Sequence, residues 1–357
     1  MPIEPTPAPR APARAANSRV LVVVPTLNER DHLEAVLRSL LAERADFRAF
    51  QLAVVDGGST DGTQDIARRW ARVHPEIRVL DNPQRLQSAA VNLAARRLGA
   101  QADVLIRCDA HASYPSRYCH LLIESLQRND ADAVVVPMDS SGEGAIQRAV
   151  AMASNSPIGT GGSAHRGGRQ SGFVDHGHHA AFRMAAFARA GGYDETFSHN
   201  EDAELDCRQR KLGSRIYLDA QIRIGYRPRS TFRGLWSQYF KYGSGRARTV
   251  RRHPGSLRLR QLAVPLNLLL LLVALGASPW FPVALAWPAV YLGVLAGVSV
   301  GLAVRSGSVA ALLAGPAAVV MHTAWGCGFL STLVMTLGSP SWRPDKVAPL
   351  QWTLERG

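Results

Sequence analysis

The chain has 357 residues, 46% of them hydrophobic, and a formal net charge of +13 at pH 7. Residues 17–220 are long enough for one well-packed α/β domain, and the sequence contains no internal repeat. The four cysteines are Cys108, Cys119, Cys207 and Cys327. Their spacing fits neither a disulfide framework nor a metal site, so we expect neither, and a reducing compartment is favoured.

The first 18 residues consist mainly of Pro, Ala and Arg and contain no apolar core. A signal peptide requires such a core, so we expect none here. We predict a disordered tail over residues 1–18, and we expect the folded part that follows to stay in the cytoplasm.

Two short β-branched runs end abruptly in polar residues and glycine, at residues 22–29 and 53–63. Such runs are typical of buried parallel strands that deliver polar groups to a crevice. Apolar residues at helical spacing predict a helix over residues 31–41 and another from Thr63, so the first two strands are joined by a right-handed crossover. Taken alone, Asp56 and the glycines after it are explained by an ordinary tight turn. Two strands that both end in this way, side by side, favour a nucleotide site instead.

A third apolar strand, residues 104–107, leads into the polar residues Asp109 and His111. Further along, Glu201 and Asp202 precede apolar residues at helical spacing, which predicts a helix ending at Gly213. The two carboxylates then lie at the N-terminus of that helix. The helix dipole alone favours acidic residues there, so their position also has a purely structural explanation.

Residues 159–168 are rich in glycine and are predicted to form a mobile loop. His176, His178 and His179 follow within four positions. Three histidines so close together could form a metal cluster, but their spacing is not matched to a fold. A surface for a phosphate or another ligand is therefore the favoured interpretation.

Residues 223–260 contain eleven basic residues and no acidic one, which accounts for most of the net charge. Nucleic acid is one candidate partner, but no groove-reading motif follows. Three nearly uncharged segments do follow, residues 262–278, 283–304 and 309–337, and about 20 apolar residues suffice to span a bilayer. The basic residues before the first segment and Arg305 after the second segment place both of these segment ends on the cytoplasmic side. Three crossings would then leave the C-terminal tail outside. Buried or interfacial helices are the alternative.

These strand ends resemble those of family 2 glycosyltransferases, which have the GT-A nucleotide-sugar fold. Pro-x-x-Asn-Glu at residues 25–29 and Val-Val-Asp-x-Gly-Ser-x-Asp-x-Thr at residues 54–63 carry the resemblance. It implies that Thr26, Glu29 and Asp56 hold uracil and ribose, within a nucleotide-sugar site that also contains Pro25, Asn28 and Asp109. The family usually has a second Asp where this chain has Gly57, so any contact made by that carboxylate is absent.

The family has Asp-x-Asp where this chain has Asp109, Ala110 and His111. One carboxylate of that motif lies near the ribose, and the other binds a divalent cation that bridges the diphosphate. The resemblance therefore implies a metal site at Asp109 and His111. Imidazole favours Mn²⁺, although Mg²⁺ held through water stays an option. Alternatively, His111 caps the strand or hydrogen-bonds to a carbonyl.

The family also implies roles for the residues downstream. Its Glu-Asp pair supplies the base of an inverting transfer, so Asp202 is the expected base and Glu201 binds the acceptor or orients the base. The family places its acceptor wall at His178 and His179.

Related processive synthases carry Gln-x-x-Arg-Trp just before their first membrane segment, and this chain has Gln238, Lys241 and Tyr242 at the corresponding places. On a helix these three residues share one face, which predicts contacts with the acceptor or the diphosphate. An amphipathic helix at the lipid headgroups is an equally open alternative.

We therefore predict a GT-A domain, a Rossmann-like mixed sheet with helices on both faces, over residues 19–222. A basic interfacial segment (223–261), about three transmembrane helices (262–337) and a tail (338–357) follow. A narrower resemblance, to the succinoglycan glucosyltransferase branch of bacterial exopolysaccharide enzymes, is carried by residues 108–112, 156–163 and 175–179: Cys-Asp-Ala-His-Ala, Ser-Pro-Ile-Gly-Thr-Gly-Gly-Ser and Asp-His-Gly-His-His.

The resemblance implies a bacterial inner-membrane enzyme whose catalytic domain faces the cytoplasm. We expect it to transfer a sugar, glucose or a relative, from a UDP-sugar to a polyprenyl-linked glycan, with other polysaccharide-assembly proteins as partners and no nucleic acid. Two alternatives stay open. One is a polyprenyl-phosphate glycosyltransferase similar to dolichol-phosphate-mannose synthases, and the other is a non-catalytic membrane protein that binds nucleotide sugar or polysaccharide.

Overall fold

The computed structural model describes residues 15–161 and 168–338. Most of the predicted N-terminal tail, the middle of the glycine-rich loop and nearly all of the C-terminal tail lie outside the described residues. The predicted boundaries between domain, basic segment and membrane helices stay predictions.

Ten strands form within the described ranges, and eight of them make one sheet in the order β3-β2-β1-β4-β8-β5-β9-β7. The other two pair with each other as a small second sheet. Their bounds are β1 Arg19–Thr26, β2 Ala49–Asp56, β3 Ile77–Asp81, β4 Val104–Arg107, β5 Ala133–Val135, β6 Met138–Ser140, β7 Gly172–Phe173, β8 His179–Arg183, β9 Ile216–Leu218 and β10 Ile224–Tyr226.

Twelve α-helices occur in the same ranges. Eight of them lie among the strands in the first 211 residues, and the last four follow the sheets. Their bounds are α1 Arg30–Leu41, α2 Thr63–Val73, α3 Gln87–Leu98, α4 Tyr118–Arg128, α5 Ala145–Ser154, α6 Pro157–Thr160, α7 Met184–Arg189, α8 Glu201–Lys211, α9 Phe232–Arg252, α10 Leu259–Ala277, α11 Ala286–Ser306 and α12 Ala314–Thr336.

The sheet is mixed, and its parallel half brings the polar strand ends together. Strands β3, β2, β1 and β4 are parallel, and Thr26 pairs with Asp56, which pairs in turn with Asp81. Strand β8 is antiparallel to both β4 and β5. The predicted α/β fold is confirmed, and the predicted strand ends lie at one edge of the sheet.

Strand β1 shows why its sequence is continuously apolar rather than alternating. Val22 and Val24 pack in the core on one face of the sheet, and Leu21 and Val23 pack in the core on the other face. All four side chains are completely buried. Burying such a side chain contributes about 1.5–3 kcal/mol, so a strand with helices on both faces gains from every position.

Helix α8 begins at Glu201, as its sequence predicts, and ends at Lys211, two residues before the predicted end at Gly213. Its first turn carries Glu201, Asp202 and Glu204, and its last turn carries Arg208, Arg210 and Lys211. Both arrangements complement the helix dipole. The backbone of Asn200 is left-handed, with a φ of 68°, and turns the chain sharply into the helix.

Three C-terminal segments are long and apolar enough to cross a membrane, and they agree with the predicted ones within a few residues. They run over Leu259–Ala277, Pro282–Ser306 and Val309–Thr336, with 19, 25 and 28 residues. At about 1.5 Å per residue each is at least about 28 Å long, close to the bilayer core of about 30 Å. Many of their large apolar side chains are exposed, as is expected of surfaces that face lipid.

Helix α9 packs against α12 along its length, and the two helices run in the same direction. A Cβ atom on Gly243 would overlap the carbonyl of Trp325, and one on Gly328 would overlap that of Phe240. Farther along, the hydroxyls of Ser244 and Thr332 lie 2.7 Å apart. The missing side chains are what allow these two backbones to approach so closely.

Candidate active site

A cavity of about 1090 Å³ opens at the carboxyl ends of the parallel strands and continues between α9 and the last three helices. Four groups of residues line it. The first two are the strand ends Pro25, Thr26, Glu29 and Gly57 and the acidic and imidazole side chains Asp109, His111, His178, Glu201 and Asp202. The other two are Gln238, Lys241 and Tyr242 of α9, and Asn267, Tyr291, His322 and Trp325 of α10–α12.

Asp56 holds the turn after β2 rather than facing open space. Its carboxylate accepts five hydrogen bonds, from the backbone N–H groups of residues 58 and 59 and from the side chains of Thr26, Ser59 and Gln64. Burial raises the pKa of Asp56, but the hydrogen bonds outweigh it, so the pKa lies below its usual value. Asp56 is 1% exposed, and its neighbours Val55 and Gly57 line the cavity.

Asn28 joins the turns that follow β1 and β2. Its side-chain Oδ1 accepts a hydrogen bond from the backbone N–H of Thr60 (2.9 Å), and its own N–H donates to Ser59 Oγ (2.8 Å). The adjacent Glu29 is fixed by a bond from its N–H to Thr63 Oγ1. The Glu29 carboxylate itself lines the cavity.

Asp109 and His111 lie on one side of the cavity. Asp109 Oδ1 accepts a hydrogen bond from Gln87 Nε2 (2.5 Å) and lies 3.5 Å from Arg107 Nε, whereas Oδ2 lies 3.7 Å from His178 Nε2. Burial raises the pKa of Asp109, but the charges of Arg107, His178 and His111 together outweigh it, so the pKa lies below its usual value. His111 Nδ1 lies 2.9 Å from Glu29 Oε1, and this bond raises the pKa of His111.

Asp202 lies in the first turn of α8 and uses its two oxygens differently. Oδ1 accepts hydrogen bonds from Arg107 Nη1 (2.7 Å) and Tyr193 Oη (2.9 Å), and it lies 3.1 Å from His179 Nδ1. Oδ2 lies 3.8 Å from His178 Nδ1. Burial raises the pKa of Asp202, but Arg107 and the imidazoles outweigh it, so the pKa is well below its usual range.

Glu201 has the opposite environment. It is 9% exposed, and its carboxylate lies 3.9 Å from Arg107 Nη1, farther than that of Asp202. Burial and the negative charge of Asp202 raise the pKa of Glu201. Two adjacent carboxylates thus have pKa values that are pushed apart by their surroundings, which is typical of sites that handle protons.

The three neighbouring histidines point to different places. His178 lines the cavity between Asp109 and Asp202. His179 is 1% exposed and lies behind the cavity wall, with Nε2 2.7 Å from Asp206 Oδ1. His176 Nδ1 lies 2.7 Å from the other oxygen of Asp206.

The face of α9 predicted from its sequence is directed into the cavity. Gln238 Nε2 donates hydrogen bonds to the hydroxyls of Tyr226 (2.8 Å) and Tyr242 (2.9 Å), and Lys241 lines the same space. This part of the cavity is cationic. Burial, followed by the charges of Lys241 and two nearby arginines, lowers the pKa of His199 to about 4.

Comparison with known proteins decides the family. Residues 21–191 match the family described as Glycosyl transferase family 2. The chain is 45% identical over 318 residues to the Succinoglycan biosynthesis protein ExoA of Rhizobium meliloti (strain 1021), covering 88% of this chain and 94% of that protein. The chain belongs to glycosyl transferase family 2. The prediction of a glycosyltransferase is thereby confirmed, and the non-catalytic alternative is not supported.

Two more distant proteins extend the comparison of this family 2 glycosyltransferase. The Methanococcus voltae dolichyl N-acetyl-alpha-D-glucosaminyl phosphate 3-beta-D-2,3-diacetamido-2,3-dideoxy-beta-D-glucuronosyltransferase is 21% identical, over 65% of this chain and 74% of its own. The solved mannosyltransferase PcManGT from Pyrobaculum calidifontis, in complex with GDP-Man and Mn²⁺, matches with a TM-score of 0.54 at 20% identity, covering 95% of this chain and 91% of that one. The second match supports the GT-A fold.

The glycosyltransferase site contains partners that the sequence motifs did not indicate. Arg107 and Tyr193 both donate to Asp202, and Asp206 lies behind His179. Asp206 had one available signal, because it follows Asp202 by four residues and so shares its face of α8. Arg107 is the one charged residue in an apolar strand, and Tyr193 lies in the stretch Gly-Gly-Tyr-Asp-Glu (residues 191–195) shortly before Glu201 and Asp202.

Proposed function

We propose that this glycosyltransferase transfers a sugar from a UDP-sugar to a lipid-linked glycan, with inversion at the anomeric carbon. The observation that carries the proposal is the single cavity of about 1090 Å³, which is lined both by the strand ends and by Asn267, Tyr291 and His322 of the C-terminal helices. An acceptor attached to a polyprenyl chain has to approach from the bilayer, and this cavity extends to the helices that would lie there.

The donor nucleoside is assigned to the strand-end part of the cavity. Pro25, Thr26 and Glu29 line it, and we assign them to uracil and ribose. Asn28 and Asp56 are assigned an indirect part, because their side chains fix the backbone of the two turns through the hydrogen bonds described above. Glycines after β2 let the nucleotide approach the backbone closely.

Asp202 is the proposed base. The acceptor oxygen attacks the anomeric carbon as the bond from that carbon to the diphosphate breaks, and the hydroxyl proton passes to Asp202. Its Oδ2 is the oxygen left for this proton, because Arg107 and Tyr193 donate to Oδ1. The released nucleoside diphosphate carries away the electron pair of the broken bond. Glu201, beside it in the cavity lining, is assigned to the acceptor.

A divalent cation fits residues that lie close to this base. Asp109 offers a carboxylate oxygen and His111 an imidazole nitrogen, a mixed pair that suits Mn²⁺ better than Mg²⁺. No group of three His, Cys, Asp or Glu side chains in the described parts of the chain forms a metal site alone, so diphosphate oxygens would complete the coordination. When bound, such a cation would neutralise charge that develops on the leaving diphosphate.

The acceptor and the product are proposed from the relatives. The Rhizobium relative is named for succinoglycan biosynthesis, and the Methanococcus relative is named for transfer to a dolichyl-linked sugar. We assign this chain to exopolysaccharide assembly, with UDP-glucose or a close relative as donor and a polyprenyl-linked glycan as acceptor. The basic residues beside the first membrane helix favour a catalytic domain on the cytoplasmic face of the bacterial inner membrane.

The test is a transfer assay with membranes that contain the full chain, the radiolabelled UDP-sugars and a polyprenyl-diphosphate-linked sugar. The lipid product is extracted, and mild acid separates glycan from carrier. We expect label on a disaccharide or longer glycan released from lipid, dependent on UDP-glucose or one related donor, and absent with Asp202→Asn.

Label that is recovered as a monosaccharide on polyprenyl phosphate would instead support the polyprenyl-phosphate glycosyltransferase alternative. Label transferred only to soluble sugar would overturn the lipid-linked acceptor.

A further inference from the structure

Four side chains form a continuous chain of short contacts, which begins at Asp202 in the cavity lining and runs through two buried side chains to His176. Asp202 Oδ1 lies 3.1 Å from His179 Nδ1, His179 Nε2 lies 2.7 Å from Asp206 Oδ1, and Asp206 Oδ2 lies 2.7 Å from His176 Nδ1. His179 and Asp206 are each 1% exposed. The mechanism above uses neither of them.

His179 faces a carboxylate with each ring nitrogen. A neutral imidazole has one N–H, so it would leave one of these two carboxylates without a donor, whereas a protonated ring donates to both. Burial lowers the pKa of His179, but Asp206 and Asp202 outweigh it and raise the pKa to about 9. Around the ring lie the hydroxyl of Tyr193, 3.5 Å from Nδ1, and the adjacent His178.

Three donors converge on one oxygen of Asp202 from three parts of the fold. Arg107 belongs to β4, His179 to β8, and Tyr193 to the segment before α8. A carboxylate held this way cannot exchange its two oxygens without breaking all three contacts. Oδ2 is then the oxygen directed toward the cavity, where His178 and Asp109 also lie.

We propose that His179 is a positioning residue for the proton acceptor: held by Asp206, it fixes Asp202 so that Oδ2 meets the acceptor hydroxyl. His176 in turn orients the carboxylate of Asp206. This inference rests on the proposed function, because it takes Asp202 as the base. It replaces the expectation that His179 contacts the acceptor directly.

The first test compares His179→Gln, His179→Asn and Asp206→Asn in membranes. The amide of Gln reaches toward Asp206 but leaves Asp202 without this donor, so we expect kcat to fall by up to about a hundredfold while KM for the UDP-sugar changes less than twofold. The shorter Asn keeps a donor near the Nδ1 position and should retain more activity than Gln. His120→Gln is the matched control, because His120 pairs with Glu124 on α4 and has no part in the site.

The second test is the pH profile of kcat. Asp206→Asn removes the charge that keeps His179 protonated, so the pKa of His179 falls. As pH rises through neutrality the ring of the variant then loses its charge, and the strong bond from a protonated ring to Asp202 is replaced by a weaker bond from a neutral N–H. The unaltered enzyme should keep the strong bond to about pH 9. Arg107, Asp202, His176 and His178 also face this cluster, and all four are unchanged in the variant. We therefore expect the variant to lose activity between about pH 6 and 9, beyond any loss in the unaltered enzyme.

Three results would overturn the inference: a His179→Gln enzyme within twofold of the normal kcat, a loss confined to KM, or an Asp206→Asn profile that is merely scaled down at every pH. Thermal melting and UDP binding identify variants that fail to fold, and the isosteric Asp206→Asn then decides. If the unaltered enzyme transfers sugar and these variants keep its kcat and its pH profile, only this inference fails. If the unaltered enzyme transfers no sugar from any UDP-sugar, the proposed function fails and this inference with it.

Discussion

At the scale of single residues, the cavity wall around Asp202 is built from charged side chains that neutralise one another. Arg107, with a side chain only 4% exposed, lies within 4 Å of Asp109, Glu201 and Asp202. Burying one cation among carboxylates is costly unless each charge has a partner, and removing one partner of a buried pair typically costs about 3–5 kcal/mol. This wall therefore fixes the ionised state of Asp202 before any substrate arrives.

The first prediction concerns Asp202→Asn. The amide keeps the shape of the carboxylate and can still accept at the Oδ1 position, but it cannot take up a proton. We expect transfer to fall by roughly a hundredfold to ten-thousandfold, while UDP binding, measured by calorimetry, stays within about threefold. Asp65→Asn, on the exposed face of α2, is the control. Normal turnover by the Asp202 variant would show that another group is the base.

The second prediction concerns the cation. Asp109→Ala and His111→Ala should each weaken UDP binding when Mn²⁺ is present and change it little in EDTA, because each removes one ligand atom. His111→Asp should shift the preference toward Mg²⁺, since oxygen replaces nitrogen. His32→Ala on the exposed face of α1 serves as control. Equal UDP affinity with and without Mn²⁺ in the unaltered protein would contradict the assignment.

At the scale of elements, α9 connects the active site to the membrane helices. One side of it carries Gln238 and Lys241 into the cavity. Its other side packs on α12 through Gly243. A displacement of α12 would therefore move side chains that line the acceptor part of the cavity.

The third prediction tests the cavity face of α9. Gln238→Ala removes the bonds to Tyr226 and Tyr242, and Lys241→Ala removes a cation from the lining. We expect each to lower transfer about tenfold, equivalent to about 1.4 kcal/mol, in protein that stays fully in the membrane fraction. Arg233→Ala, exposed on the same helix, is the control. If both variants keep full activity, α9 serves as an anchor alone.

The fourth prediction tests the packing of α9 on α12. Gly328→Val places side-chain atoms against the carbonyl of Phe240, so we expect the free energy of unfolding in detergent to fall by about 1–3 kcal/mol with a matching drop in Tm. Gly297→Val on α11 is the control, because no atom lies within 4 Å of a Cβ built there. Equal stability of the two variants would mean that the helices separate in detergent.

The parts of this fold that were predictable depend on short stretches of chain. The ends of β1, β2 and β4 and the start of α8 follow from local patterns of apolar, polar and glycine residues. Arg107 and Tyr193 were not predictable, because each meets Asp202 only after the chain has folded, and Arg107 is 95 residues away from it in sequence. Local patterns also predict α9 and α12 separately but not their contact. That contact depends on Gly243 and Gly328, which leave room for the carbonyl groups of the other helix only once the two helices are packed together.

At the scale of the whole molecule, both ends of α9 rest on the catalytic domain. Near its start Gln238 bonds to Tyr226, and at its end Arg252 pairs with Asp194. Helix α12 runs beside α9 in the same direction. Its first residues pack in a cluster with Val150 of α5, and the carbonyl of its last residue, Thr336, accepts a hydrogen bond from Arg251.

The last prediction follows from that geometry: α10 and α11 cross the bilayer, whereas both ends of α12 lie on the side of the catalytic domain. Single cysteines in place of Trp280, Ser306 and Gly338 test it in spheroplasts with a membrane-impermeant maleimide. Trp280→Cys should be labelled from outside, because α10 leads away from the domain. Ser306→Cys, the cytoplasmic control, and Gly338→Cys should be labelled only after permeabilisation, above the background of the unaltered chain. Three crossings, as the sequence alone predicts, would instead make Gly338→Cys accessible from outside.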